Sequence, residues 1–283
     1  MIIHQGTVEL KNARITGRST AGIETALAIP EFGIGIDMGI SLPATTSQPR
    51  LCITHGHPDH IGALIAHLGK RLLGGLPPLE IFGEPKLLER LESMVREAEQ
   101  IQGNAFPVHW RPMAPGDRFA LRKGLELRTF RSFHVLPTMG FALCTRRQKL
   151  KAEYRELKGH EIAALRKEGK SDLFDTLEEV EIAWTGDTLP EVIDREPLVQ
   201  EAKTLIIECS FLDEQKDVRL ARKGGHIHLD ELIPRLDSLK ATNLVLTHFS
   251  QIYSPGDVRR ILGERLPPDW REKTFPLTRN KRT

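Results

Sequence analysis

The chain has 283 residues, 40% of them apolar, which is enough for a substantial buried core. Its formal charge is only +2, so any affinity for a polyanion has to come from local patches and not from the overall field. The three cysteines, Cys52, Cys144 and Cys209, lie far apart beside apolar runs, which suits reduced core thiols far better than a disulfide framework or a CxxC zinc ribbon.

Reduced cysteines are typical of a reducing compartment. The stretch "MIIHQGTVELKNARITGR" has no continuous apolar region of the kind that a secretory signal carries. No later stretch approaches the roughly 18 apolar residues of a membrane span. We therefore predict a cytoplasmic protein with no membrane partner.

Short β-rich runs alternate with amphipathic helical runs along the chain. In the first half, we predict strands at "ETALAIP", "GIGIDMG" and "RLCITH", and helices over 61–71 and 85–102. In the second half, we predict strands at "LELRTFRSFHV", "EVEIAWTGD", "KTLIIECS" and "TNLVLTHF", and helices at "HLDELIPRLDSL" and "PGDVRRILGERL". Strands followed by helices, twice over, predict an α/β fold with two sheets packed face to face, helices outside, and one sheet from each half.

The stretch "CITHGHPDHIGAL" places three histidines and an aspartate within residues 55–60, directly after an apolar run. His55 and His57 alternate on extended backbone, so both side chains can point to one place. Pro58 keeps His57 out of the helical region and suits the first position of a helix, so Asp59 and His60 fall on a new turn and point elsewhere. The motif can therefore serve two adjacent metal ions, and imidazole with carboxylate donors favours zinc or manganese.

Four residues cannot complete two coordination shells, but three later strands also end in a residue able to bind metal. His134 ends "LRTFRSFH", Asp187 ends "IAWTGD" and His248 ends "LVLTH". The ends of strands in an α/β layer carry functional groups on loops held by a rigid sheet. The sequence therefore predicts that these three residues join the motif at one site.

With these motifs the chain resembles the metallo-β-lactamase superfamily, whose HxHxDH signature matches residues 55–60. The resemblance implies an αββα sandwich of two packed mixed sheets flanked by helices, as a single domain over residues 1–283. The implied ligands are His55, His57 and His134 on one metal, Asp59, His60 and His248 on the other, and Asp187 as the bridge. The superfamily acts on thioesters, lactones and nucleic-acid phosphodiesters, so this motif alone does not select the substrate.

The second half resembles the ribonuclease Z branch of that superfamily, the tRNA 3′-processing endoribonucleases, and especially its short form in plants. The resemblance lies in the runs "IIECSFLDE", "GGHIHLDEL" and "LVLTHFSQIY". It implies a catalytic pair in which Glu208 orients His226, and His226 protonates the leaving alkoxide. It also implies that Asp59 orients the attacking hydroxide, that two Zn²⁺ ions are bound per chain with Mn²⁺ as the alternative, and that a homodimer acts on precursor tRNA or other RNA.

A basic insertion is predicted at about residues 145–178, and it resembles the corresponding segment of the plant short-form enzymes. Residues 146–170 hold nine Lys or Arg against four Asp or Glu, a net of +5 that suits an RNA backbone. A solvated helical face is the alternative interpretation of the same charges. The candidate RNA-binding residues are Arg146, Arg147, Lys149 and Lys151.

Two other functions fit the same metal ligands. A small-molecule hydrolase, acting on a cyclic nucleotide, a thioester or a lactone, has less use for Glu208, His226 and the basic insertion. A non-catalytic RNA-binding relative has no use for a complete ligand set. Two more residues stay open: Asp37 either supports the metal loop or caps a turn, and His228 either starts a helix near Asp230 or lines the pocket.

Overall fold

The computed structural model describes residues 5–170 and 172–278. Its strands are β1 (Gly6–Glu9), β2 (Arg14–Ala21), β3 (Glu24–Ile29), β4 (Ile34–Ile36), β5 (Arg50–Cys52), β6 (Leu79–Gly83), β7 (Val108–Pro112), β8 (Arg118–Arg122), β9 (Leu125–Phe133), β10 (Pro137–Leu150), β11 (Phe174–Trp184), β12 (Thr204–Glu208), β13 (Asn243–Thr247), β14 (Phe249–Ser250) and β15 (Thr274–Pro276). Its α-helices are α1 (Pro43–Thr46), α2 (Pro58–Ile61), α3 (Leu64–Leu73), α4 (Pro85–Gln102), α5 (Gly159–Lys167), α6 (Glu191–Arg195), α7 (Pro197–Gln200), α8 (Val218–Gly224), α9 (Leu229–Leu232), α10 (Pro255–Arg265) and α11 (Pro268–Arg271).

The strands form two mixed sheets. The first has the order β1-β2-β3-β4-β5-β6-β7, with antiparallel pairs from β1 to β4 and parallel pairs from β4 to β7. The second has the order β15-β13-β12-β11-β10-β9-β8, with parallel pairs from β15 to β11 and antiparallel pairs from β11 to β8. The prediction of two mixed sheets flanked by helices is confirmed.

The two halves of the chain do not supply one sheet each. β14, from the second half, pairs in parallel with β2 of the first sheet, where Phe249 lies opposite Thr20. The prediction of a clean division between the halves is therefore wrong at this strand. β14 follows His248 directly, so its pairing with β2 brings His248 against the first sheet.

Apolar side chains form three layers that hold the sandwich together. The layer between the sheets contains Phe141 and Trp184, whose rings stack with centroids 5.6 Å apart. On the outer face of the first sheet, α4 packs through Leu88, Leu91 and Val95, whose spacing of three and four residues places them on one side of the helix. The third layer joins the second sheet to the helices that follow it. The predicted α4 over 85–102 is confirmed to the residue.

The predicted insertion is a hairpin. Pairing between β9 and β10 stops at Thr145, and beyond it residues 146–150 pair with β11. The connection between β10 and β11 carries α5. We call residues 145–178 the arm.

The predicted single domain over residues 1–283 includes residues 1–4, 171 and 279–283, which lie outside the described part of the chain. Among the described helices, each falls short of the length and apolar content that crossing a membrane requires.

Candidate metal centre and active site

The HxHxDH motif follows β5 and turns the chain into α2. His57 has extended backbone, with φ −68° and ψ 146°, and Pro58 is the first residue of the helix. Asp59 and His60 therefore lie in the first helical turn, as the sequence indicates. The ring nitrogens His55 Nε2 and His57 Nδ1 are 3.0 Å apart, so these two side chains converge.

One cluster of ligand atoms is formed by His55, His57, His134 and Asp187, one atom from each lying within 4.8 Å of the others. His134 follows β9, and its Nε2 is 3.2 Å from His57 Nδ1. Asp187 follows β11, and its Oδ2 is 3.6 Å from His55 Nε2. β9 and β11, which are separated in the second sheet by β10, thus bring two candidate ligands to the loop that follows β5 of the first sheet.

A second cluster is formed by Asp59, His60 and His248. His248 Nε2 lies 3.3 Å from Asp59 Oδ2 and 3.4 Å from His60 Nε2. Asp187 also reaches this cluster, because its Oδ1 is 3.4 Å from His60 Nε2 and its Oδ2 is 3.4 Å from His248 Nε2. These two clusters have the membership that the resemblance implies, with Asp187 between them. A third group of side chains that could hold an ion, Asp187, Glu208, His226 and His248, overlaps them.

Asp37 supports the second cluster from behind. His60 Nδ1 donates to Asp37 Oδ2 at 2.8 Å, so in the neutral imidazole, the form that binds metal, the proton is on Nδ1 and the Nε2 lone pair faces the cluster. Asp37 also accepts hydrogen bonds from the Thr54 amide at 2.8 Å and the Thr54 hydroxyl at 2.9 Å. Of the two interpretations of Asp37, the structure matches support of the metal loop.

The outer nitrogens of two more histidines also find acceptors. His134 Nδ1 donates to the carbonyl oxygen of Gly225 at 2.9 Å, and His248 Nδ1 lies 3.1 Å from Ser210 Oγ. His248 itself has a φ of +59°, an unusual backbone conformation for a residue with a side chain. Its amide donates to Ser19 Oγ at 3.0 Å, so contacts from both sheets hold it.

Glu208 and His226 form a hydrogen-bonded pair beside the clusters. His226 Nδ1 donates to Glu208 Oε1 at 2.8 Å, and the His226 ring centroid is 5.3 Å from that of His248. The Glu208 side chain is 1% exposed and that of His226 is 19% exposed. Within residues 5–170 and 172–278, His226 Nε2 has no hydrogen-bond partner, so it is available to a bound molecule.

The surroundings set the protonation of these groups. Burial lowers the pKa of His226, but the charge and the hydrogen bond of Glu208 outweigh it and raise this pKa to about 9. His226 is therefore protonated at neutral pH, as a proton donor must be.

Burial lowers the pKa of His55 to about 2, which keeps the imidazole neutral and able to bind a metal.

His228 lies outside both clusters. It begins α9, where its Nδ1 accepts a hydrogen bond from the Asp230 amide at 3.1 Å and its Nε2 lies 3.1 Å from the Asp213 carbonyl oxygen. Of the two interpretations of His228, the structure matches the helix start.

Some residues of the site escape sequence reasoning. The amide of Gly22, at the tip of the β2–β3 hairpin, donates to Asp59 Oδ2 at 2.9 Å. A Cβ at Gly39 would lie 1.7 Å from the carbonyl oxygen of Asp59, so only glycine fits beneath the motif. Ser210 joins Glu208 to His248. Only Ser210 has a signal in the sequence, its place two residues after Glu208.

The arm pairs its basic side chains with acids from β11. Arg147 lies 3.1 Å from Glu179, and Arg146 lies 3.8 Å from Glu178. Nearer the tip of the arm, Lys151 Nζ lies 3.2 Å from Asp172. The net charge of residues 146–170 therefore overstates the positive charge of this surface, because the opposing strand supplies acids that the count leaves out.

Comparison with known proteins places the chain among enzymes of one kind. A family model described as a beta-lactamase superfamily domain matches residues 50–249. Chloroplastic tRNase Z TRZ2 of Arabidopsis thaliana is 34% identical, over 99% of this chain and 79% of that protein. tRNase Z TRZ1 of the same plant is 30% identical, over 96% of this chain and 97% of its own length. The crystal structure of human tRNase Z, short form, superposes with a TM-score of 0.58 at 20% identity, covering 88% of this chain and 92% of that one, which supports the shared fold.

Proposed function

Since this chain belongs to the beta-lactamase superfamily and, within it, to the ribonuclease Z family, we propose that it is a metal-dependent endoribonuclease that cuts precursor tRNA on the 3′ side of the tRNA body. The observation that carries the proposal is the pair of Glu208 and His226 beside two clusters of metal-binding side chains. Hydrolysis of a thioester or a lactone has less need of such a proton donor.

The donor atoms fit two Zn²⁺ ions. Five imidazoles and two carboxylates converge, and for His60, His134 and His248 the outer ring nitrogen contacts an acceptor while Nε2 faces the site. His60 Nε2 and His248 Nε2 lie 3.4 Å apart in this buried site, close enough for both to bind one ion. The same donors suit Mn²⁺, which is the alternative.

Such ions, when bound, neutralise charge on phosphate oxygens and lower the pKa of water. The chain's own residues orient the reactants and move the protons. Asp59, fixed by the Gly22 amide, orients the attacking water. His226, held protonated by Glu208, donates its proton to the leaving 3′-oxygen as the bond from phosphorus to that oxygen breaks. The products are a 3′-hydroxyl on the tRNA and a 5′-phosphate on the trailer.

The arm is the proposed second contact with RNA. It extends beyond Thr145, where the pairing of β9 with β10 ends, and its side chains at positions 146–149 are exposed. The proposed RNA-binding residues are Arg146, Arg147, Lys149 and Lys151. The ion pairs of Arg146, Arg147 and Lys151 are at the surface, where such pairs contribute little to stability, so a phosphate can displace an acid at small cost.

Two further predictions belong to this proposal. We infer a homodimer from the resemblance to ribonuclease Z, and sedimentation of the purified protein tests it. We also infer a cytoplasmic location, because Cys52, Cys144 and Cys209 are all free and buried. Microscopy of the tagged protein in its own cells tests the location, and import into an organelle, as the name of the chloroplastic relative indicates for that protein, would contradict it.

The experiment that tests the function incubates the purified protein and Zn²⁺ with a precursor tRNA carrying a 3′ trailer. We expect one cut after the tRNA body, a trailer with a 5′-phosphate, and no cut by the His57→Ala variant. Intact RNA, together with hydrolysis of a cyclic nucleotide, a thioester or a lactone, would instead identify the small-molecule hydrolase.

A further inference from the structure

Ser210 lies between the proton-donating pair and a metal ligand. Its hydroxyl Oγ is 2.7 Å from Glu208 Oε2 and 3.1 Å from His248 Nδ1. The residue has no solvent exposure, so water does not compete for either contact. A single hydroxyl therefore touches both functional parts of the site.

The protons can be assigned from the chemistry of the three groups. An ionised carboxylate only accepts hydrogen bonds, whereas a hydroxyl has one proton to donate and lone pairs to accept with. The Ser210 proton therefore goes to Glu208, and Ser210 Oγ accepts the Nδ1 proton of His248. This fixes the His248 tautomer that leaves Nε2 unprotonated on the side of Asp59 and Asp187.

Glu208 is the fixed point of this arrangement. Besides the contacts with His226 and Ser210, its carboxylate accepts from the backbone amides of Thr188 at 2.9 Å and Ile227 at 3.3 Å. Thr188 directly follows Asp187, and Ile227 directly follows His226. The carboxylate thus ties the loops of the bridging residue and the proton donor together, and Ser210 adds His248.

We propose that Ser210 is a positioning residue that couples the proton donor His226 to the metal held by His248, through the hydrogen-bonded chain His226, Glu208, Ser210 and His248. The proposal deepens the function proposed above and rests on its metal site. Its first measurement, however, uses neither RNA nor activity.

The first measurement is the Zn²⁺ affinity of purified Ser210→Ala, by competition with a chelator. In that variant the His248 tautomer is no longer fixed, and we expect one of the two ions to bind about 10- to 100-fold more weakly while the other is unchanged, the usual effect of removing a partner behind a ligand. Ser210→Thr keeps the hydroxyl and should restore the affinity. Ser41→Ala is the matched control, because the buried Ser41 hydroxyl has no hydrogen-bond partner among the described residues.

The second measurement is a cycle of Ser210→Ala and His226→Ala on precursor tRNA. If Ser210 acts through the proton donor, it should lower kcat with little change in KM, and the double variant should lose clearly less than the product of the single losses. Multiplicative losses would overturn the coupling to His226.

Thermal unfolding shows whether each variant folds. If Ser210→Ala does not fold, Ser210→Gly, which also removes the hydroxyl, takes its place. Wild-type Zn²⁺ affinity in a folded variant without the hydroxyl, or an equal loss in Ser210→Thr, would overturn this inference alone. A wild-type protein that binds no divalent metal would overturn the proposed function and this inference with it.

Discussion

The metal centre and the arm are both rich in ionisable side chains, but they hold them in opposite ways. In the metal centre, His60 and Asp187 have side chains that are 1% and 3% exposed, and each contacts further groups of fixed position. In the arm, Arg146 and Arg147 are 59% and 64% exposed and lie against Glu178 and Glu179. Ionisable side chains are therefore buried in the metal centre and surrounded by water in the arm.

The difference determines what one substitution can do. A buried charge that loses its partner is left without water, and such losses are large. An exposed pair is screened and its members are replaced by water or by another ion, so its loss is small. The metal centre should consequently respond sharply to single changes, and the arm only to several changes together.

The largest effect is expected at a direct metal ligand. The purified protein should hold about two divalent ions per chain, and His57→Ala should lose tight binding of at least one of them. Its cleavage of precursor tRNA should fall by more than the roughly 100-fold that is usual for residues behind a ligand. Elemental analysis and a cleavage assay measure both, and exposed His109→Ala, outside the site, is the control. Active protein without bound metal would contradict the assignment of a metal centre.

The next effect separates proton donation from metal binding. His226→Ala should lower kcat on precursor tRNA by about 10²- to 10⁴-fold, because the alkoxide leaving group needs a proton. Metal content should stay the same, since His226 belongs to neither implied ligand set. Bis(p-nitrophenyl) phosphate has a good leaving group, so its hydrolysis should lose much less. Equal losses on both substrates, or a lost metal ion, would show that the pair is misassigned.

A smaller effect should appear in the pH profile of Glu208→Gln. The carboxylate raises the pKa of His226 to about 9, so its neutralisation should move this pKa down. The donor works in its protonated form, present below its pKa, and the alkaline loss of kcat should therefore move to lower pH. A fall of the pKa toward its usual value would leave roughly tenfold less activity near pH 7.5. An unchanged alkaline limb would show that Glu208 does not set the charge of His226.

The smallest effect is expected in the arm. Neutralising Arg146, Arg147, Lys149 and Lys151 together should weaken cleavage of precursor tRNA by about 2- to 10-fold and flatten its salt dependence. Hydrolysis of bis(p-nitrophenyl) phosphate should stay nearly intact, and an equal loss there would mean that these residues support the fold. The opposite change, Glu178→Gln with Glu179→Gln, frees the two arginines and should strengthen RNA binding slightly, by about 2-fold.

Sequence predicts the metal centre better than the arm because the centre is encoded locally. The alternation of His55 and His57 and the helix start at Pro58 set side-chain directions within a few residues, whatever the rest of the chain does. A lone histidine lacks such a signal, and His67 is indeed buried away from the clusters, where burial lowers its pKa to about 3.

What the sequence does not predict depends on contacts between distant residues. The acids opposite Arg146 and Arg147 become relevant only once β10 and β11 pair in register. The role of Ser210 depends on His248, which lies 38 residues later in the chain. Glutamate and serine are common residue types, so their contacts at these positions become apparent only in the folded structure.

The pairing of β14 with β2 also affects when the second cluster can form during synthesis of the chain. The His248 amide donates a hydrogen bond to Ser19 Oγ across a separation of 229 residues, so this contact can form only late in synthesis of the chain. Chains fold from the N-terminal end as they are synthesised, and long-range contacts form slowly. Until His248 and β14 have emerged, the second cluster lacks His248, so an unfinished chain cannot assemble the proposed metal centre.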